Sequence, residues 1–171
     1  NITTVDAGTV ANTVATVDTA TLTAAGATSI TVSGNNGLNL TATGSTAVTS
    51  FDASGIAADA AEDTAANLGV IYASLNSTTT ADVTITGGVG NDTLTGNAAK
   101  DTIVGGEGID TIDGGAGIDT INLAETTAAV DEVNFTSGAD VITGFLSTSD
   151  NLDFDGATIA GGGALTAGAT T

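Results

Sequence analysis

Cysteine, histidine, arginine, proline, methionine and tryptophan are all missing from this 171-residue chain, and Lys100 is its only basic side chain. Each absence excludes something. Without cysteine there are no disulfides and no thiol chemistry. Without cysteine and histidine there is no Ser-His or Cys-His nucleophile and no HExxH zinc site. Against the single lysine stand 20 acidic residues, for a net charge of −19. Nucleic acid and anionic lipid would be repelled over nearly the whole surface, and a cation is the natural partner. No apolar run approaches the roughly 20 residues of a membrane span, and no charged-then-apolar signal segment opens the chain. One Tyr and four Phe are too few for a compact hydrophobic domain of this length.

What remains is mostly Ala, Thr, Gly, Val and Asp, small or β-branched residues that suit the narrow interior of a solenoid. From Gly87 to Asn122 the chain reads GGVGNDTLT, GNAAKDTIV, GGEGIDTID and GGAGIDTIN, four nonapeptides with nothing between them. The sixth place is always Asp (Asp92, Asp101, Asp110, Asp119) and the eighth always aliphatic (Leu94, Ile103, Ile112, Ile121). A flexible Gly/Asp-rich linker would share the composition, but it has no need of an aliphatic side chain once per repeat.

The residue types account for the spacing. Thr-aliphatic-Thr, as at Thr93-Leu94-Thr95, is a short strand with one inward side chain, because alternate residues face opposite ways. The residues before it are rich in glycine because the backbone must turn sharply and bare its carbonyls. Ca2+ takes about six to eight oxygens, many of them carbonyl and carboxylate, so one turn offers about half a shell and two stacked turns complete it. Stacked strands lie about 4.8 Å apart. At an effective dielectric of about 20, two aspartates at that spacing repel by roughly 3 kcal/mol. A bound cation reverses the sign.

The array resembles the RTX calcium-binding repeat, GGxGxDxUx. The resemblance implies a right-handed parallel β-roll in which each nonapeptide is half a coil and repeats i and i+2 stack. It implies that Gly87, Val89 and Asp92 share one calcium with Gly106, Gly108 and Asp110. Gly96, Ala98 and Asp101 would share another with Gly115, Gly117 and Asp119. Gly88, Gly90, Gly105, Glu107, Gly114 and Ala116 belong to the same calcium turns. The second repeat departs from the pattern at Asn97, Ala99 and Lys100. Ala99 resists positive φ and Lys100 sets a positive charge beside a cation site, so that side of the roll is expected to bind more weakly.

Three segments follow from this reading: 1–86, 87–122 and 123–171. In the first, Val14, Leu22, Ile30, Leu38 or Leu40, and Val48 recur at intervals of about eight to ten. Turn groups at 25–26, 33–37 and 43–45 separate them, with no Asp in the calcium position. A calcium-free β-solenoid fits, and so does an antiparallel β-sandwich. Residues 56–69 break the rhythm. They form either a short helix, with Ile56, Ala60, Thr64 and Leu68 on one face and Gly69 as its stop, or an exposed loop. Asp59, Glu62 and Asp63 there read as solvated charge. Strand character returns at 70–75 and 82–86.

After Asn122, the phrases Asp140-Val141-Ile142, Gly144-Phe145 and Asp150-Asn151-Leu152-Asp153-Phe154 resemble the segment that closes the roll in RTX exoproteins. Phe135, Phe145 and Phe154 would plug the open end. Asp140, Asp150 and Asp153 are candidates for a further calcium, or are plain surface charge. Gly156–Thr171 is uncharged, and in the family such tails carry an uncleaved type I secretion signal.

The functional expectation is a non-enzymatic, extracellular protein with Ca2+ as its cofactor. A glycosidase-like carboxylate pair stays open on composition, yet almost every Asp in a recognisable context sits in a calcium turn. The acidic, Cys-free, Thr/Ala/Gly-rich texture resembles type I-secreted surface-layer proteins, which implies a bacterial cell-surface location and self-association into sheets or filaments. A cell-surface glycan is a further candidate partner. The alternative is a calcium-triggered folding and secretion module of a larger adhesin or hydrolase. The long calcium-free segment favours the structural role, since a bare secretion module has no need of it. Ice binding through Thr-x-Thr, as at Thr84-Ile85-Thr86, finds no long ladder of such motifs. The chain opens on Asn, so it is expected to be processed or a piece of something longer.

Overall fold

The computed structural model describes residues 2–4, 17–58 and 64–154. Val14, Asp59, Ala60, Glu62, Asp63 and 156–171 lie outside them. In the leading half the strands are β1 (Ile2–Thr4), β2 (Asp18–Thr21), β3 (Ser29–Gly34), β4 (Leu38–Thr41) and β5 (Ser50–Ile56). A single helical turn, α1 (Ala65–Leu68), precedes β6 (Val70–Ala73) and β7 (Thr84–Thr86). The repeats supply β8 (Thr93–Thr95), β9 (Thr102–Val104), β10 (Thr111–Asp113), β11 (Ala116–Gly117) and β12 (Thr120–Asn122). Four more follow: β13 (Glu132–Asn134), β14 (Ser137–Gly138), β15 (Val141–Thr143) and β16 (Asn151–Asp153).

These strands form a parallel β-solenoid. One sheet runs β1-β3-β5-β7-β9-β12-β15, the other β2-β4-β6-β8-β10-β13-β16, and β11 pairs with β14 in a turn. Every pairing is parallel, which excludes the antiparallel sandwich. Repeats i and i+2 stack as expected, with Leu94 beside Ile112 and Ile103 beside Ile121. Ile85 joins the same register against Ile103.

Period-2 alternation gives each short strand one inward side chain. One sheet contributes the row Ile30, Phe51, Ile85, Ile103, Ile121, Ile142. The other contributes Ala20, Leu40, Tyr72, Leu94, Ile112, Val133, Leu152. Together they supply about half of the buried core, and residues of the turns and strand ends, such as Leu38, Val48, Ile56, Val70 and Leu123, complete it. Phe51 and Tyr72 stack across it, ring centroids 4.0 Å apart and 6° from parallel. From Ile85 onward the two strand rows are aliphatic, with Phe135 and Phe145 packed against the core beside them.

Two expectations need correction. Of the two readings of 56–69, helix or loop, the described residues show a single helical turn, Ala65–Leu68, and Ile56 is the buried end of β5. Gly69 is not a left-handed stop: its φ is −66°. Its small size serves packing instead, since a Cβ there would strike the Asn91 backbone of the next coil. The segment after Asn122 also adds strands to both sheets, so it continues the solenoid. The stacked rings of Phe135 and Phe154, 4.8 Å between centroids, sit on its last coil.

Phe51→Ala should cost about 3–5 kcal/mol of stability, and nearly the same in calcium as in chelator. Urea denaturation followed by Tyr72 fluorescence under both conditions checks this. A loss under about 1 kcal/mol would place the ring outside the packed interior.

Candidate metal centre

The sixth residue of each nonapeptide immediately precedes a strand, so strand register stacks aspartate on aspartate. Two ladders result. One holds Asp92, Asp110, Asp131 and Asp150; the other holds Asp101, Asp119 and Asp140. Each Oδ1 accepts the backbone N–H at the same level one coil earlier. In the first ladder Val70 donates to Asp92 (2.7 Å), Asp92 to Asp110 (2.9 Å), Asp110 to Asp131 (2.9 Å) and Asp131 to Asp150 (3.3 Å). In the second, Val83 donates to Asp101 (2.8 Å), Asp101 to Asp119 (2.8 Å) and Asp119 to Asp140 (3.0 Å).

The apolar coils show what this replaces. There the equivalent amides of Asp18 and Leu38 donate to backbone carbonyls, Gly37 O and Gly69 O. From Asp92 onward a side chain accepts instead. Leu38 and Val70 are the buried apolar occupants of the first ladder's level, and Val83 of the second. The aspartates begin one coil later on each side.

The second carboxylate oxygens divide into two groups. Asp92 Oδ2 accepts Gly88 N–H (2.7 Å) and Asp101 Oδ2 accepts Asn97 N–H (2.6 Å), so these turns close on themselves. Asp110 Oδ2 and Asp119 Oδ2 are buried and accept nothing. Their turns differ in backbone: Gly106, Gly108, Gly115 and Gly117 have φ of 120°, 115°, 91° and 145°. These are left-handed values that glycine alone adopts readily. The Gly115 N–H turns away to Asp113 Oδ1. The first glycine of each repeat (Gly87, Gly96, Gly105, Gly114) lies against Oδ2 of its own aspartate, where a Cβ would collide.

Burial sets the titration of these groups. It pushes Asp92 up to about 7 against two opposing amide bonds. Asp110 rises to about 8, with Asp92, Asp131 and Glu125 adding repulsion to the effect of burial. Asp119 and Asp131 rise to about 6, and Asp101 is also raised, again chiefly by burial. Buried carboxylate oxygens with no donor, among like charges, are the chemistry that a hard divalent cation satisfies. Among the described residues no three acidic side chains enclose an ion by themselves. The donor set that fits is therefore one of turn carbonyls plus the aspartates, and calcium there would neutralise the ladder charge.

The expected partnerships are brought together in part. The turn of repeat 3 packs on that of repeat 1, with Gly106 against Gly88 O and Gly108 against Gly90 O; Glu107 N–H donates to Gly88 O at 3.0 Å. Repeat 4 packs on repeat 2 in the same way, with Ala116 N–H to Asn97 O at 3.0 Å. Val89, Ala98 and Lys100 are exposed. Asn97 locks the second turn by accepting Ala99 N–H and donating to Ala81 O. Asp140, Asp150 and Asp153 do not meet: the first two belong to opposite ladders and Asp153 ends β16.

Sequence reasoning missed Asp131, whose phrase Asp131-Glu132-Val133-Asn134 repeats Asp119-Thr120-Ile121-Asn122. The spacing had stretched from 18 to 21 residues. It also missed Glu125, whose Oε2 is buried without a partner.

Residues 84–112 match the family model of the RTX calcium-binding nonapeptide repeat, in 4 copies. The chain carries RTX repeats. The match covers well under half of the chain, and Gly114–Asn122 follows it in the same RTX register. No curated protein and no solved structure matches the chain.

Two measurements test this geometry. Asp110→Ala should weaken calcium binding more than Asp101→Ala, because Asp101 Oδ2 is already held by an amide; equal losses by calorimetry would contradict this. The second concerns protons. An unfolded aspartate titrates near 3.9, whereas these titrate at about 6 to 8 in the fold. In chelator the fold therefore keeps their full contribution only below about pH 4 and loses it as pH rises toward about 8. The denaturation midpoint in chelator should be higher at pH 5 than at pH 8. Calcium binding at pH 7 should release protons, seen as a buffer-dependent calorimetric enthalpy.

Proposed function

We propose that this chain is a type I-secreted, non-catalytic structural protein of the bacterial cell surface, a surface-layer or filament subunit whose ordered state depends on extracellular calcium. RTX repeats are typical of secreted, calcium-binding proteins, and no helix among the described residues is long and apolar enough to cross a membrane. The observation that carries the structural reading is the continuity of the two sheets. An apolar half, complete with its own aromatic stack, leads without interruption into the carboxylate half. A module serving only secretion has no use for that first half.

Both ends of the solenoid offer strand edges. Among the described residues β1 and β2 are the outer strands at one end, β15 and β16 at the other. Such edges template another copy unless covered. Head-to-tail contact through them generates a filament when the rotation does not close. Calcium at the contacts would offset the repulsion between subunits of net charge −19.

Assembly should then require calcium. Removing the first dozen or so residues, which include edge strand β1, should abolish it while leaving the calcium-bound circular dichroism intact. Light scattering and electron microscopy with calcium and with chelator read the outcome. Monomers at every calcium concentration would favour the secretion-module reading instead.

A further inference from the structure

The coil made by repeats 1 and 2 is closed by the protein itself. Beneath it lies an apolar coil: Leu94 stacks on Tyr72, Ile103 stacks on Ile85, and Asn91 N–H donates to Ala65 O of α1 at 2.8 Å. The levels below Asp92 and Asp101 are held by Val70 and Val83, so neither aspartate has a carboxylate beneath it in its ladder. All four oxygens of the pair are engaged. Oδ1 accepts the amides of Val70 and Val83, and Oδ2 those of Gly88 and Asn97. Gly87, Gly88, Gly90 and Gly96 keep φ outside the left-handed range. Asn97 adds two side-chain ties, to Ala81 O (3.0 Å) and from Ala99 N–H (2.6 Å).

The coil of repeats 3 and 4 has similar backbone bonds to the coil below, such as Thr111 N–H to Asp92 O and Thr120 N–H to Asp101 O. It lacks the rest. Asp110 Oδ2 and Asp119 Oδ2 are buried without a donor, and four of its turn glycines are left-handed. Each aspartate also lies between two others, Asp110 between Asp92 and Asp131, Asp119 between Asp101 and Asp140. Repulsion from these neighbours adds to burial in raising Asp110 and Asp119, whereas at Asp92 burial is the one effect that does so. Unpaired buried charge is costly, and the only lysine belongs to the second repeat.

We propose that the calcium-dependent part of the solenoid begins at Gly105 and not at Gly87, where the repeats begin. Without calcium the ordered chain runs on through repeats 1 and 2 to Val104, with Asn97 fastening the second turn. The coils from Gly105 onward join it only with a cation bound. The first repeat coil is then a preformed platform that presents its half of each stacked turn pair before the ion arrives, and order advances from it toward β16. The proposal rests on the reading that the turns of repeats 3 and 4 bind calcium, and separates the extent of the repeat from the extent of calcium dependence.

Hydrogen exchange of the full chain, with calcium and with chelator, tests it at about pH 8, where the aspartates of an unfolded segment are ionised. In chelator β6, β7, β8 and β9 should exchange more than about a hundredfold slower than an unstructured chain, and β10, β12, β13 and β15 at close to the unstructured rate. Calcium should extend protection over all of them. Asn97→Gly, which removes the two side-chain ties, should lower the protection of β9 in chelator by about tenfold or more, with β7 unaffected. The loss should vanish in calcium. Chelator protection that stops at β7, or that runs past Val104 through β12, would overturn the proposal, as would an Asn97→Gly chain that exchanges like the wild type. Protection that ends at Val104 in both media would support the boundary and sink the calcium reading instead.

Discussion

The bond from a backbone amide to an aspartate Oδ1 one coil later is what the carboxylate half depends on. In an ordinary parallel coil that amide finds a carbonyl, as Leu38 does with Gly69 O. Once a side chain supplies the acceptor, the residue before it no longer has to face its carbonyl along the stack. Left-handed turn glycines are found in repeats 3 and 4, at Gly106, Gly108, Gly115 and Gly117, and not in repeats 1 and 2, whose aspartates accept the same kind of bond. Pairing the amide through a side chain brings one carboxylate into the stack at each coil. The consequence is a row of buried carboxylates at the spacing of strands, which the hydrophobic rows of the core cannot offset by themselves.

Much of this was legible in the residues. The strands of the repeats and the inward Leu94, Ile103, Ile112 and Ile121 follow from period and pattern, and their stacking partners were what the RTX resemblance implied. What was hidden has identifiable causes. Asp131 and Asp140 lie 21 residues from their ladder partners, because residues added in one corner stretch both ladders in sequence while leaving the stacking in space unchanged. A solenoid corner absorbs such insertions freely, so the structural period outlives the sequence period. The helical reading of 56–69, one of the two left open, meets Ala65–Leu68 among the described residues. Its apolar spacing came from two different elements, Ile56 in β5 and Leu68 beside the next coil, which happen to share a helical interval.

The sequence led to the expectation of a difference between the two sides of the roll, carried by Ala99 and Lys100. The backbone adds a difference along the axis. Repeats 1 and 2 close on their own amides, and repeats 3 and 4 leave Oδ2 without a donor. Asn97 contributes to the first kind, since its side chain fastens the turn that a glycine would leave free. Along the whole length Oδ1 is held by protein amides, and it is at Asp110 and Asp119 that Oδ2 has no protein donor, while Asp150 Oδ2 again accepts Leu146 N–H.

The two ladders also set a linear charge density. Each adds one carboxylate per coil, and coils advance by about 4.8 Å, so together they carry about one charge for every 2.4 Å of axis. Duplex DNA carries one per about 1.7 Å. With every carboxylate ionised this half of the protein would approach nucleic-acid density along its axis, with the charges turned inward; burial, which lifts Asp92 to about 7 and Asp110 to about 8, keeps part of that charge masked by protons. Its counterions cannot form a diffuse cloud around the rod; they have to occupy places inside it. Order in such a rod is then a property of the ionic medium as much as of the polypeptide.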